Sequence, residues 1–258
     1  ARAHQDHIGS LPVLRRLNPD ASIFMSDPTR QLADAMLHNS VSVMKKLRVS
    51  TGNGDYPLFT HREVSETLRH SRSCPLRSRW WLDGDRRAPG ERGTPAFQRH
   101  HAGHILGSTG VLVEADGQRL FYTGDVNFED QTMSQGASFP QENVDVLVME
   151  CTRGDSPQPS GFTREREEER FIECLELSFD RGGCTLVPVF ALGKTQEVLA
   201  VIHKYRKLGR LSTRPVYIGG LSTKVSGITD RNASSWPRRF PGLELVEATD
   251  AFTLRGRE

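Results

Sequence analysis

The sequence predicts an α/β fold, and three observations predict it. Strand-like and helix-like segments alternate from residue 144 onward, as in βαβ units. The run Val144–Met149 is apolar on both parities of a strand, which suits a sheet covered on both faces. Segments 28–47 and 194–207 carry apolar stripes at helical spacing. With 258 residues, the chain has length for one large or two modest domains and an ample core.

Taken in order, Ser22-Ile23-Phe24-Met25 reads as a short buried strand. Asp27-Pro28 then starts a helix, Asp27 capping and Pro28 in the first helical position. Leu32, Met36, Val43 and Leu47 mark its inner face, His38 reads as a surface residue of it, and 51–55 is a loop. The Arg-, Pro- and Gly-rich stretch from 70 to 98 shows no period, and no structure is assigned to it. Gly110–Glu114, a turn at Asp116-Gly117 and Arg119–Thr123 form a hairpin.

Beyond the 144–149 strand, Phe171, Ile172, Leu175 and Phe179 define a helix that Gly182-Gly183 ends. Cys184 to Phe190 reads as a strand with Cys184 packed as a small hydrophobe. Lys194–Lys207 is a helix with Val198, Val201, Ile202 and Tyr205 inward and His203 as an exposed residue of it. Arg214–Ile218 and Leu243–Val246 complete the strands.

Composition narrows the function classes. The net charge is +2 and 36% of residues are hydrophobic, a balance that points to neither membrane nor nucleic acid. Mean hydropathy is −0.50. The 4 cysteines show no C-x-x-C pairing and read as reduced thiols, so a reducing, cytoplasmic compartment is expected. No run approaches a membrane span. The distribution of charge says more than its sum. Between Arg62 and Arg99 lie Arg69, Arg72, Arg77, Arg79, Arg86, Arg87 and Arg92, with Trp80 and Trp81 among them. Such a segment can hold a phosphate backbone and stack a base, or can be a solvated insertion.

Chemistry concentrates at the start. In Arg2-Ala3-His4-Gln5-Asp6-His7, two imidazoles and a carboxylate fall within one turn, ligands that zinc accepts. Three more polar residues stand beside strands. His104 precedes one in Ala102-Gly103-His104-Ile105-Leu106-Gly107-Ser108; Asp125 follows one in Thr123-Gly124-Asp125; Glu150 ends one in Glu150-Cys151-Thr152-Arg153-Gly154. Singly, His104 could belong to a basic cluster with His100 and His101, Asp125 to a turn, and Glu150 to the surface. Together, at strand ends where α/β folds place their sites, they read as one constellation.

The series AHQDHIGSLP, AGHILGS, YTGD, ECTRG and VPVFALGKTQE resembles the β-CASP branch of the metallo-β-lactamase superfamily. The resemblance implies an αββα sandwich, here incomplete, over residues 1–155 and a truncated inserted β-CASP α/β domain over 156–258. It implies hydrolysis of phosphodiester bonds in RNA, with two zinc ions as cofactor. His4 and His104 would serve the first ion, Asp6 and His7 the second, and Asp125 would bridge both. Asp6 would assist with the proton, and Glu150 would support the site from behind. Lys194 and Lys224 are candidate phosphate contacts. RNA is the expected partner, with single-stranded DNA as the other polymer, and a homodimer or larger processing complex the expected assembly.

Departures from the pattern set further expectations. Arg2 stands where the signature H-x-H-x-D-H-x-G has its first histidine, and a guanidinium offers only donors. It could fill the vacancy and neutralise Asp125. The family's opening strands and later histidines are absent, so a fragment of a longer reading frame, inactive alone, is expected. From a different class, the chain would be an impaired relative that binds RNA or a partner nuclease without cleaving. A small-molecule metallohydrolase is the third reading, and VPVFALGKTQE argues against it.

Overall fold

A computed structural model describes residues 2–81 and 95–254. The fold is mixed α/β, and its contacts divide it into two compact units. The first comprises Ala1–Asp130, Ser134–Glu150 and Ser235–Pro237; the second comprises Gln131–Met133, Cys151–Ser234 and Arg238–Glu258. No helix among the described residues is long and apolar enough to cross a membrane.

The first unit opens with two short helices, α1 (Gln5–Ile8) and α2 (Leu11–Leu17). Strand β1 (Ile23–Met25) leads into the long α3 (Asp27–Thr51), which packs against α4 (His61–Arg69). Leu32, Ala33, Leu37 and Val41 of α3 meet solvent nowhere, whereas Val43 and Leu47, expected on the inner face, are exposed because the last turns of the helix run past the core. The helix cap is Ser26, not Asp27: Ser26 is extended and its hydroxyl accepts the Thr29 N–H at 3.3 Å. Asp27 therefore becomes the first helical residue, where a carboxylate suits the positive helix end. Helix α4 has no counterpart in the sequence reading, although Thr60 and Glu63 close a capping box at its start.

The stretch from 70 to 98, left without structure by its sequence, contributes strands. Strand β2 (Ser71–Ser73) pairs in parallel with β1, and β3 (Arg79–Trp81) pairs antiparallel with β4 (Ala96–His101). Then come β5 (Thr109–Ala115) and β6 (Gln118–Tyr122), the expected hairpin. Its two-residue turn has Asp116 at φ 50° and Gly117 at φ 81°, the doubly left-handed pair of a type I′ turn. Strand β7 (Val146–Val148) joins β6 in parallel, so the sheet runs β3-β4-β5-β6-β7. Contrary to the covered position its sequence suggests, β7 is exposed along its length, Leu147 by 55%.

The second unit holds α5 (Arg164–Asp180), α6 (Lys194–Lys207), β8 (Val216–Gly219), α7 (Leu221–Arg231), α8 (Leu245–Ala248) and β9 (Ala251–Leu254). Strands β8 and β9 pair in parallel across the intervening helices. Ile172 and Leu175 of α5 pack with Val201, Ile202 and Tyr205 of α6. Met133, Leu199, Ala200, Ile218 and Leu245 form a second cluster.

Three expectations are corrected in this unit. Residues 184–190 form no strand; Cys184 is exposed and Leu186 is 91% exposed, and among the described residues no strand pairs with them. Residues 243–246 enter α8 instead of a strand, because the Asp230 carboxylate accepts the N–H groups of Leu245 (2.8 Å) and Val246 (3.1 Å) and fixes a helical start. His203 is half-buried, its Nδ1 lying 3.1 Å from the Ala248 carbonyl.

Candidate functional site

Three short segments of the first unit build the site. In the opening segment, His4 caps α1 from an extended conformation, and its carbonyl accepts the N–H groups of His7 (3.0 Å) and Ile8 (3.2 Å). That single turn presents Asp6 and His7 together. Ala3 is fully buried and Ile8 nearly so, which anchors the turn on both sides of the polar residues.

The second segment is the 102–108 link between β4 and β5. Gly103 has φ +68°, and a Cβ there would stand 2.2 Å from the Asn127 carbonyl oxygen. Gly107 has φ +81°, and a Cβ there would stand 2.6 Å from the Thr29 hydroxyl. The hydroxyls of Ser26 (2.9 Å) and Thr29 (2.8 Å) both donate to the Gly107 carbonyl, and Ser108 bonds both backbone groups of Ile105. The result is a fixed loop with His104 at its crest. Ser26 and Thr29 went unnoticed in the sequence; only their place around a helix start hints at a polar role.

The third segment follows β6. Gly124, at φ 58°, turns the chain and leaves Asp125 projecting from the end of the strand. A Glu150 carboxylate oxygen accepts the Val126 N–H at 2.8 Å, holding the same loop from the end of β7.

These segments converge. The His4 and His104 rings lie edge to face at 5.5 Å between centroids. His7 Nε2 stands 3.3 Å from Asp125 Oδ1 and 3.4 Å from Asp6 Oδ2. At the centre is Arg2. Its Nη1 contacts both His104 Nε2 and Asp125 Oδ2, the latter at 2.5 Å, while Nη2 donates to Asp6 Oδ2 at 3.0 Å. Its side chain is 13% exposed.

The electrostatics follow from this packing. Burial, then the charge of Arg2, then His4, push His104 down to about 4, against the pull of Asp125 and Glu150. His104 is therefore neutral at pH 7 and its Nε2 can accept from Arg2. Partial burial works to raise Asp6, but the hydrogen bond and charge of Arg2 leave it below the ordinary carboxylate value. His100 and His101 are buried in β4 and burial lowers both, so they add no positive charge beside His104.

This donor set does not fit a pair of zinc ions as it is arranged. The lone pairs of His104 Nε2, Asp125 Oδ2 and Asp6 Oδ2 already face one guanidinium. Among the described residues, no group of three or more His, Cys, Asp or Glu is disposed to hold a metal.

The remaining candidates belong to other segments of the chain. Lys194 opens α6 and Lys224 lies in α7, both exposed in the second unit. In the arginine-rich segment, Arg99 is buried beneath Trp80, 5.2 Å from its ring centroid, and Trp80 packs with Phe24 and Phe97. Trp80 is half-buried, and its ring contacts are with aromatic residues of its own unit. Arg79 pairs with Glu114, and Arg62 with Glu66. Arg86, Arg87 and Arg92 lie outside the described residues.

The sequence is similar to several known proteins. The chain is 29% identical over 232 residues to the probable RNase MJ4 of Methanocaldococcus jannaschii, covering 88% of this chain and 48% of that protein. It is 31% identical over 231 residues to transcription termination factor FttA of Methanothermobacter thermautotrophicus, covering 88% of this chain and 33% of that one. Ribonuclease TTHA0252 of Thermus thermophilus is 29% identical over 263 residues, covering 96% of this chain and 55% of the relative. The chain is homologous to these proteins, two of which are named as ribonucleases. No family model matches it. The chain spans between a third and about half of the length of these relatives. Arg2, His4, Asp6, His7, His104 and Asp125 form the polar cluster of the first unit.

Proposed function

We propose that this chain is the RNA-directed module of a β-CASP-type protein, a type whose reaction class is hydrolysis of RNA phosphodiester bonds. The supporting observation is the convergence of His4, Asp6, His7, His104 and Asp125 in one cluster around Arg2. Relatives whose names describe ribonucleases add weight. In this reading the five-stranded sheet belongs to an αββα sandwich, and the second unit is part of an inserted β-CASP domain. Single-stranded RNA is the favoured polymer, in a cytoplasmic setting.

In such a pocket, divalent ions such as zinc would supply an activated water and shield the leaving oxygen. Arg2 takes up the facing lone pairs, so the residues as arranged support no hydrolytic step through such ions. The residues themselves do three things. Asp125 and Asp6 supply paired negative charge, His104 supplies a neutral imidazole, and Glu150 holds the Asp125 loop through Val126. Arg2 favours a second reading, in which the chain binds RNA and does not cut it.

End-labelled single-stranded RNA incubated with the purified chain separates the two. Cleavage that Asp125→Asn abolishes supports hydrolysis. Binding by fluorescence anisotropy, without cleavage, supports the second reading. If the chain neither binds nor cuts RNA, the proposal is wrong.

A further inference from the structure

We infer that Arg2 is the resident cation of this pocket, standing where a metal ion would otherwise sit and keeping zinc out. The inference rests on the contacts around position 2 and is independent of whether RNA is the ligand.

Arg2 and zinc compete for the same electrons. A zinc ion binds the lone pair of a neutral imidazole nitrogen and of a carboxylate oxygen at about 2.0–2.2 Å. Arg2 Nη1 already takes both from His104 Nε2 and Asp125 Oδ2, and Nη2 takes a third from Asp6 Oδ2. One planar fork therefore spans acceptors from three chain segments, in the geometry for which guanidinium is suited. An ion bonded to His104 and Asp125 together would have to stand within the space Nη1 occupies.

Position and charge reinforce the exclusion. The buried Ala3 fixes the backbone beside Arg2, and the side chain is largely enclosed, so the guanidinium is held in the pocket. Its positive charge would also repel a divalent ion placed on the His7 side. Without Arg2, Asp6 and Asp125 would share the single imidazole of His7 and lose their guanidinium partner. The same group thus makes zinc unnecessary for holding the three segments together.

The test is zinc stoichiometry and affinity, by elemental analysis after dialysis and by calorimetric titration with zinc chloride. The intact chain, Arg2→His, Asp125→Asn and the double variant are compared. The intact chain is expected to hold no zinc that Asp125→Asn removes. Arg2→His is expected to gain at least one zinc, bound at least tenfold more tightly than any in the intact chain, and to lose it with Asp125→Asn. Zinc held by the intact chain and lost in Asp125→Asn overturns the inference, as does an Arg2→His protein that gains none. Should Arg2→His fail to fold, Arg2→Gln in zinc-free buffer decides: a lowered melting temperature agrees with a structural cation, and an unchanged one contradicts it.

Discussion

His104 is held in place by two glycines that carry no chemistry themselves. Gly103 sits at φ +68° with the Asn127 carbonyl where a side chain would go, so Gly103→Ala cannot be absorbed by a rotamer change. We expect it to cost about 2 kcal/mol or more, since left-handed strain and a backbone clash add. Urea unfolding of the variant checks this, and a change below half that size would show that the loop is softer than its contacts imply. The motif was legible as a unit. Its reason was not, because Asn127 and Thr29 lie far away in sequence.

The pH response also belongs to single residues. A histidine whose folded pKa is depressed to about 4 must charge on unfolding below its ordinary value of 6.5. Its contribution is complete above pH 6.5 and is lost as pH falls from there toward 4. The slope is at most about 1.4 kcal/mol per pH unit, and less for a partly screened group. Urea midpoints at pH 7, 5.5 and 4.5 should fall in that order, and by less in Arg2→Gln. A flat profile in the intact chain would show that His104 is not held neutral. Arg2 itself was legible as an anomaly in the signature, and its possible fit against Asp125 followed from charge. That it also takes Asp6 and His104 required coordinates.

At the scale of elements, helix α6 was readable to its ends, because its stripe and Gly209 mark it locally. Segments decided by distant partners were not. Residues 184–190 have strand composition but pair with no strand among the described residues, and Asp230 sets α8 from outside the segment it caps. A comparable device fixes residues 131–133 in the second unit. Buried Glu197 accepts the N–H of Thr132 and, at 3.2 Å, that of Met133, while also pairing with Arg164. Buried Glu168 accepts from Arg164 (2.8 Å), Lys204 (2.6 Å) and the Thr132 hydroxyl (2.9 Å). Removing one member leaves the rest uncompensated, so Glu197→Ala should destabilise this unit by about 3–5 kcal/mol. Hydrogen exchange at Thr132 and Met133 reads it directly; unchanged protection would refute the role assigned to Glu197.

For the molecule as a whole, the mixture of helices and strands was legible from the hairpin and the helical stripes, whereas half of the expected alternation (the strands at 184–190 and 243–246) and the burial were not. Val146, Leu147 and Val148 look like an interior strand, yet β7 ends its sheet with all three exposed. Apolar edges of this kind promote association. The chain alone should therefore self-associate at micromolar concentration, and Leu147→Lys should shift it toward monomer in light scattering. Equal mass distributions for the two proteins would contradict this.

The pocket exists as one site only if position 2 and position 125 meet. A double-mutant cycle in urea unfolding, using Arg2→Gln, Asp125→Asn and both together in zinc-free buffer, measures that meeting directly. A favourable coupling of about 1–3 kcal/mol is predicted for side chains in contact. Single-variant effects that add to within about 0.3 kcal/mol would mean the two residues do not touch.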